Sequence, residues 1–254
     1  MEFQDVVRKR KMVRSFEDRP LPQEVVERIV ANVQKAPSAG FSQGWGFLVL
    51  EGKDAVRYWD ELWPEERRTD WGWPDLFNAP LLIVCLSNKK QYLARYAEAD
   101  KGWTDMDEKR WPVPYWDVDT GMAALLALLT AVDAGLGAVF FGVFDQAKLR
   151  ATFGIPDEYT AVGVVAVGYA KPVDRPSPSL KRGHRAAADV VRRGRWSLGQ
   201  RVSSRALVVA NSVRISRLNA GMSSGLRLVT QLRSTTTSAS SHSPPAQRMS
   251  SCKV

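Results

Sequence analysis

The sequence predicts an α+β domain, in which helical segments are interleaved with short strands whose residues are almost all apolar. Four continuous apolar runs have the length of a strand, at residues 47–50, 80–86, 139–144 and 161–169. An amphipathic helix is predicted over residues 23–36, where apolar residues recur at helical spacing. The most apolar stretch of the chain, residues 119–144, reads as a helix followed by one of these strands.

The stretch at 119–144 predicts a buried helix that ends at glycine. Its first half is rich in alanine and leucine, which favour helix. Asp117 and Asp119 precede that half and are expected to cap its free N–H groups, and Gly135 and Gly137 are expected to end it. Because almost no face of this helix is polar, we expect it to be buried all round, in the core or in a dimer interface.

A membrane span is the rival interpretation of that stretch, because it is long enough to cross a bilayer. Asp133 lies inside it, however, and no second hydrophobic segment of that length follows. The first 15 residues are charged and lack the apolar centre of a signal peptide. Two cysteines and two histidines exclude a disulfide framework and a histidine-rich zinc site. We therefore expect a cytoplasmic protein with no metal and no membrane partner.

The net charge of +9 comes almost entirely from the end of the chain. Residues 197–254 hold eight of the 36 Lys and Arg residues and no Asp or Glu, which leaves 28 cations against 27 anions before them. The rest of the chain is thus nearly neutral, and nucleic acid is an unlikely partner for it. The tail is rich in Ser, Thr and Arg, so we expect much of it to be disordered and assign it no function. A shifted reading frame would also produce such a tail.

A cluster of cations lies near the start of the chain, between two predicted helices. Residues 4–10 predict a short helix, and residues 8–14 supply five Lys or Arg side chains. A solvated face is one interpretation of this cluster. The other is an anion site, in which guanidinium groups bind a phosphate through paired N–H donors. After the helix at 23–36 comes a loop of mostly small and polar residues, 36–45.

This order of segments resembles the FMN-dependent nitroreductase superfamily over residues 4–196. The resemblance rests on the basic element from Arg10 to Arg14, the helix after it, and the sequence APSAGFSQGWGFLVL. It implies a three-layer α+β fold with a mixed, mainly antiparallel sheet flanked by helices. It also implies that residues 1–196 form an FMN-binding domain, which assembles as an obligate homodimer with an FMN at each of two interface sites.

The resemblance further implies which residues hold the flavin. The flavin phosphate would be bound by the basic element, here Arg10, Lys11, Met12 and Arg14. A loop of the partner subunit would reach the flavin through Pro37, Ser38, Ala39 and Phe41. Three positions depart from the family's pattern, because Met12 replaces a small polar residue, Phe41 replaces Asn and Gly44 replaces Pro. Polar side-chain contacts at positions 12 and 41 are therefore not expected, although backbone contacts can survive.

Residues 59–116 hold seven of the nine tryptophans. One interpretation is the packing of a variable insertion over the core. The other is an aromatic lid, whose flat apolar rings would accept flat apolar substrates over the flavin. The resemblance supports a lid, because this is where members of the family vary.

The second half of the chain adds two further segments of the resemblance. The strand after Gly137 is similar to one that passes close to the flavin ring in the family, here near Phe140, Phe141 and Gly142. It lacks the G-x-G-x-x-G spacing of a dinucleotide-binding fold. Residues 171–196 are similar to an arm that wraps the partner subunit and brings a late cation to the flavin phosphate. Arg185 is the first candidate for that cation and Arg182 the second, and a basic surface strip is the alternative for either.

The chemistry implied by the resemblance belongs to the cofactor, so no catalytic side chain is predicted. FMN would pass hydride from NADH or NADPH to a nitroaromatic, quinone or related small aromatic acceptor in a ping-pong cycle. Two alternatives keep the fold: a flavin-consuming enzyme similar to the cobalamin lower-ligand synthase, which residues 40–43 resemble, and a reductive dehalogenase. A flavin-storage protein and a nucleic-acid-binding module that uses the tail are alternatives of other classes.

Overall fold

A computed structural model of the chain describes residues 1–196. The chain divides into two compact units, Met1–Arg182 and Gly183–Val254. The first unit contains the sheet and helices α1 to α7, and the described part of the second contains one short helix, α8. The expectation of a disordered basic tail falls on residues 197–254, outside the described residues.

Four strands of the first unit form one sheet in the order β1, β2, β4, β3, and each neighbouring pair is antiparallel. The strands lie on the four apolar runs and span Trp45–Glu51, Leu81–Ser87, Gly137–Phe141 and Thr160–Gly168. A parallel pairing occurs only at an isolated bridge from Met12 to Ala138, among the described residues. The third strand was expected to reach residue 144, but it ends at Phe141, close to an irregularity in the pairing of β2 with β4.

Helices cover both faces of the sheet, which confirms the three-layer α+β fold. The helices α1 to α8 span Phe3–Lys9, Gln23–Val33, Gly52–Leu62, Glu65–Thr69, Lys89–Ala97, Tyr115–Asp133, Gln146–Phe153 and Ala187–Val190. Side chains of β2 alternate between two cores: Leu82 and Val84 join the core that contains α3, and Leu81 and Ile83 join the core that contains α2 and α6. The strand is continuously apolar in sequence because both of its faces are covered.

Helix α6 begins earlier than the sequence indicated. Its N-terminal cap is Pro114, which has no side-chain acceptor, so Asp117 lies in the first turn and Asp119 lies inside the helix. The prediction that these two carboxylates cap the helix is therefore wrong. The alanine- and leucine-rich part predicts only the helix from Met122 onward, whereas the more polar residues before it belong to the same helix.

Helix α6 also exposes one apolar face in this chain. Val118, Met122 and Leu125 are 41%, 36% and 46% exposed, whereas Ala123 and Ala127 on the other side are buried against α2 and the sheet. The prediction of a helix buried all round is therefore wrong for the single chain. Within the described residues, α6 alone is long and apolar enough to cross a membrane, and half of it is buried inside the fold.

Candidate functional site

The basic element lies directly beside strand β3. The N–H of Val13 donates to the carbonyl of Ala138 at 2.9 Å, and Met12 forms the isolated bridge to the same residue. Gly137 permits this approach, because a Cβ there would lie 2.8 Å from Val13 Cγ1. The sequence thus brings the cations of the basic element to the edge strand that carries Phe140 and Phe141.

Arg14 is held by its backbone, and its guanidinium lies against an aromatic ring. Its N–H donates to Asp174 Oδ1 at 3.1 Å, and its Nη1 donates to the carbonyl of Met12 at 3.3 Å. The guanidinium carbon lies 5.2 Å from the centroid of Trp73, within the range of a cation–π contact. Arg14, Arg10 and Lys11 form no ion pair with a carboxylate within residues 1–182. These three cations therefore remain available to an anion.

A cavity of about 230 Å³ opens beside Arg14. Six aromatic side chains line it, namely Trp63, Trp71, Trp73, Phe140, Phe141 and Phe144. Trp71 also has a buried indole N–H that finds no hydrogen-bond partner in the described part of the chain. An apolar cavity with flat walls and one cation suits a planar heterocycle that carries a negative group.

The tryptophan-rich region divides into two aromatic clusters, one before strand β2 in the chain and one after it. Trp59 and Trp63 are buried in the core, and Trp71 and Trp73 extend this first cluster to the cavity. The second cluster surrounds Trp111 and contains Tyr92, Tyr96, Trp103, Tyr115 and Trp116. Part of the region thus packs in the core and part of it walls the cavity. An aromatic lid over the flavin stays a prediction.

The turn Ala39–Phe41 is fixed by side chains that the sequence did not single out for that role. Asp119, only 1% exposed, accepts at Oδ2 from the Ala39 N–H at 2.8 Å and from the Tyr92 hydroxyl at 2.7 Å. Arg95 Nε donates to the carbonyl of Gly40 at 2.9 Å. Burial raises the pKa of the Tyr92 phenol, and its bond to Asp119 raises that pKa further, so the phenol stays protonated and donates.

The signal for Asp119 was its charge at the start of an otherwise apolar run, where only a satisfied carboxylate is tolerated in a core. The turn it holds presents Phe41 to solvent, 74% exposed and with a positive φ of 55°. A phenylalanine in this left-handed region is uncommon. The hydrogen bonds on both sides of the turn maintain it.

The structure brings three of the predicted site residues to one cavity, Arg14, Phe140 and Phe141. It does not place the others in the cavity lining; within Met1–Arg182 these are Arg10, Lys11, Met12, Pro37, Ser38, Ala39, Phe41, Gly142 and Arg182. Gly142 directly follows Phe141, and Met12, Lys11 and Arg10 lie two, three and four positions before Arg14. Arg182 ends a short helical turn, Pro178–Arg182. Arg185 lies in the second unit, where its Nη2 donates to the carbonyl of Asp189 at 3.1 Å.

Gly142 provides a test of the predicted flavin contact. A Cβ at this position meets nothing within 4 Å in the chain, so Gly142→Ala should leave the thermal stability of the flavin-free protein unchanged. If the flavin ring approaches this backbone, the added methyl should weaken FMN binding by about tenfold, a typical penalty for an inserted methyl at a tight contact. Fluorescence titration of FMN measures the affinity, and an unchanged dissociation constant would remove Gly142 from the site.

Comparisons with known proteins agree on one family. The model of the nitroreductase family matches residues 7–169. A provisionally named NADH dehydrogenase/NAD(P)H nitroreductase of Archaeoglobus fulgidus is 28% identical over 166 residues, which is 64% of this chain and 82% of that protein. An iodotyrosine deiodinase of Thermotoga neapolitana is 27% identical over 198 residues, which is 70% of this chain and 92% of that protein.

Solved structures show the same fold at lower identity. A nitroreductase family protein of Clostridium difficile 630 superposes with a TM-score of 0.57 at 19% identity, over 77% of this chain and all of that one. An FMN-dependent nitroreductase of Clostridium difficile R20291 superposes with a TM-score of 0.51 at 22% identity, over 71% of this chain and 96% of that one.

Proposed function

Because this chain belongs to the nitroreductase family, we propose that it is an FMN-dependent oxidoreductase that uses NADH or NADPH to reduce a small aromatic acceptor. The observation that carries the proposal is the single cavity in which Arg14 meets the aromatic walls from β3 and from the tryptophan-rich region. The relatives named as NAD(P)H nitroreductase and FMN-dependent nitroreductase support the cofactor and the donor.

The residues present fit FMN. Arg10, Lys11 and Arg14 lack carboxylate partners within residues 1–182, so they can neutralise a phosphate. The ring of a flavin matches the flat apolar walls of the cavity. When bound, FMN would supply the redox chemistry by taking a hydride from the nicotinamide and delivering it to a nitroaromatic, quinone or similar acceptor.

The chain's own residues would then bind the cofactor, orient the acceptor and shield both from water. The aromatic walls exclude water and keep a planar acceptor parallel to a planar cofactor. The cations would hold the anionic end of the cofactor, and their attraction to it becomes stronger as water leaves the cavity. The turn at Ala39–Phe41, which Asp119 and Arg95 fix from behind, would present its backbone to the flavin of the partner subunit.

An absorbance spectrum of the purified protein, recorded before and after anaerobic NADH or NADPH, tests this proposal. We expect flavin bands at roughly 370 and 450 nm that bleach on addition of one donor, since the flavin is the redox group. Bands that persist with both donors would favour a flavin-storage protein. A protein that binds no flavin even when FMN is added would refute the proposal.

We further propose that two copies pair through the exposed face of α6. Its exposed apolar side chains form a stripe that a second copy could bury, as isologous dimers do. Leu125→Glu should therefore convert the dimer to a monomer of about 28.3 kDa by light scattering. Val56→Glu is the matched control, because Val56 is exposed on α3. A Leu125→Glu protein that stays dimeric would exclude this face.

A reductive dehalogenase is the second candidate, favoured by the similarity to iodotyrosine deiodinase. Both reactions would use the same cavity, so the cavity alone does not separate them. Iodide release from 3-iodotyrosine under reducing conditions, compared with reduction of a nitroaromatic by the same preparation, distinguishes the two. Faster release of iodide would make dehalogenation the primary activity.

A further inference from the structure

Two arginines outside the proposed cofactor contacts stack on rings that line the aromatic cavity. The Arg67 guanidinium carbon lies 5.0 Å from the centroid of Phe144, and that of Arg175 lies 6.0 Å from the centroid of Trp73. Both arginines are exposed, and although neither is among the residues that line the cavity, each contacts a ring that does, so we call these two positions its rim. They place positive charge on its rim, in addition to Arg14 within it.

Neither of these arginines has a carboxylate partner in the first unit. Neighbouring and comparable arginines do: Arg68 pairs with Asp60 at 3.1 Å, and Arg110 pairs with Asp105 at 2.8 Å. Arg67 and Arg175 form no ion pair within residues 1–182. Their charge is therefore balanced only by solvent, which an incoming anion can replace.

Both positions are fixed by the surrounding structure. The indole N–H of Trp73 donates to the carbonyl of Arg175 at 2.7 Å, which ties this part of the chain to the cavity wall. Arg68 joins the short helix α4 to Asp60 of α3, so that Arg67 is presented on a held segment. Asp174 directly precedes Arg175 in the chain and carries a carboxylate. Its Oδ1 accepts from the backbone N–H of Arg14, and it forms no ion pair with Arg175.

We propose that Arg67 and Arg175 select a planar aromatic acceptor that carries an anionic group, such as a carboxylate. This inference rests on the proposed function, and it narrows the acceptor to one class. The rings of the cavity hold any flat apolar molecule, and they distinguish a neutral one poorly from an anionic one. Two guanidinium groups on the rim supply the discrimination, because their planar N–H donors match a carboxylate.

The experiment compares 4-nitrobenzoate with 4-nitrobenzyl alcohol, which replaces the carboxylate by a neutral group of similar size. Binding of each is measured by titration calorimetry without donor, so no turnover occurs, and kcat/KM is measured separately with donor. The variants are Arg67→Gln and Arg175→Gln. Arg57→Gln is the matched control, because Arg57 is exposed and stacks at 5.5 Å on Phe153, which is not in the cavity lining.

We expect the unaltered protein to prefer the carboxylate, and each rim variant to lower that preference by about threefold, as expected for an exposed ion pair. Arg57→Gln should leave the preference unchanged. An equal affinity for the two compounds, or a preference that both rim variants retain, overturns the inference. If the rim variants lower kcat/KM with NADPH but not with NADH, the inference also fails, since the anion that they bind would then be a phosphate of the donor.

These outcomes are separable from failure of the proposed function. The calorimetric preference does not require a reducible flavin, whereas the proposed function fails if the absorbance spectrum reveals no flavin. If the protein binds and reduces FMN but has equal affinity for 4-nitrobenzoate and 4-nitrobenzyl alcohol, the proposed function stands and only the inference about the acceptor fails.

Discussion

Arg14→Glu is expected to yield a folded protein that purifies largely without FMN. Among the residues that the structure describes, Arg14 carries the only charged group in the lining of the aromatic cavity. Its replacement removes one charge-assisted contact and adds a repulsive carboxylate, which should weaken FMN binding by about 100-fold or more. The ratio of flavin absorbance to protein absorbance after gel filtration measures the occupancy.

Two further variants make this result specific. Arg14→Lys keeps the charge but loses the planar pair of donors and the stacking on Trp73. Its affinity for FMN should therefore fall between those of the unaltered protein and of Arg14→Glu. Arg57→Glu reverses an exposed arginine that stacks on Phe153 on another part of the fold, and should keep its FMN. Full flavin occupancy in Arg14→Glu would show that Arg14 does not face the cofactor.

Folding of the first unit is not expected to depend strongly on Arg14. Its backbone N–H makes the bond to Asp174, and its side chain makes one long bond of 3.3 Å to the carbonyl of Met12. A change of side chain leaves the backbone contacts of the basic element with β3 in place. A lower flavin content without a lower unfolding temperature of the flavin-free protein would therefore identify a binding effect.

The sequence predicted the strands well because their pattern is local. Strand β2 is buried on both faces, so its residues are apolar without exception until Ser87, and this run is legible without any knowledge of its neighbours. The order and the relative directions of the strands could not be predicted in that way, because the apolar runs at β2 and β3 do not indicate which strands pair with each other. The resemblance to the nitroreductase family predicted a mixed, mainly antiparallel sheet but not the order of its strands, and all three pairs of the observed sheet are antiparallel.

The site was predicted in part, and the limits are physical. Arg14, Phe140 and Phe141, which the resemblance assigns to the flavin site, line one cavity, and their contact with the flavin stays a prediction. Trp59 and Trp73, in contrast, belong to one undivided region in sequence, although the first is buried in the core outside the cavity lining and the second is only partly buried and lines the cavity. Spacing along the chain does not reveal this division, because it depends on contacts with distant segments such as β3 and residue 175.

The role predicted for Asp119 differs from the one in the structure. A carboxylate just before an apolar run predicts a helix cap, which is the common local role for such a residue. The helix instead begins at Tyr115, and Asp119 bonds to Ala39 and Tyr92, which are 80 and 27 residues away in the chain. A long-range role of this kind leaves no local pattern, apart from a charge where an apolar residue would be expected.

The buried bonds of Asp119 lead to the prediction with the largest effect on stability. Asp119→Ala should lower the free energy of unfolding by about 3 kcal/mol, because it leaves the N–H of Ala39 and the hydroxyl of Tyr92 without an acceptor and opens a small cavity. Urea denaturation at a fixed protein concentration measures the change. Hydrogen exchange in residues 38–43 should also accelerate, since the turn loses its anchor.

Asp119→Asn separates the hydrogen bonds from the charge. Both recorded bonds end on one oxygen, Oδ2, which the amide oxygen of asparagine can replace. Asp119 forms no ion pair within residues 1–182, so its charge is buried without a cation, and the neutral amide should cost less than about 1 kcal/mol. Tyr92→Phe removes one of the two donors and should fall between alanine and asparagine in its effect on stability. If asparagine destabilises as strongly as alanine, the carboxylate acts through its charge, and the hydrogen-bonded anchor described for the turn is incorrect.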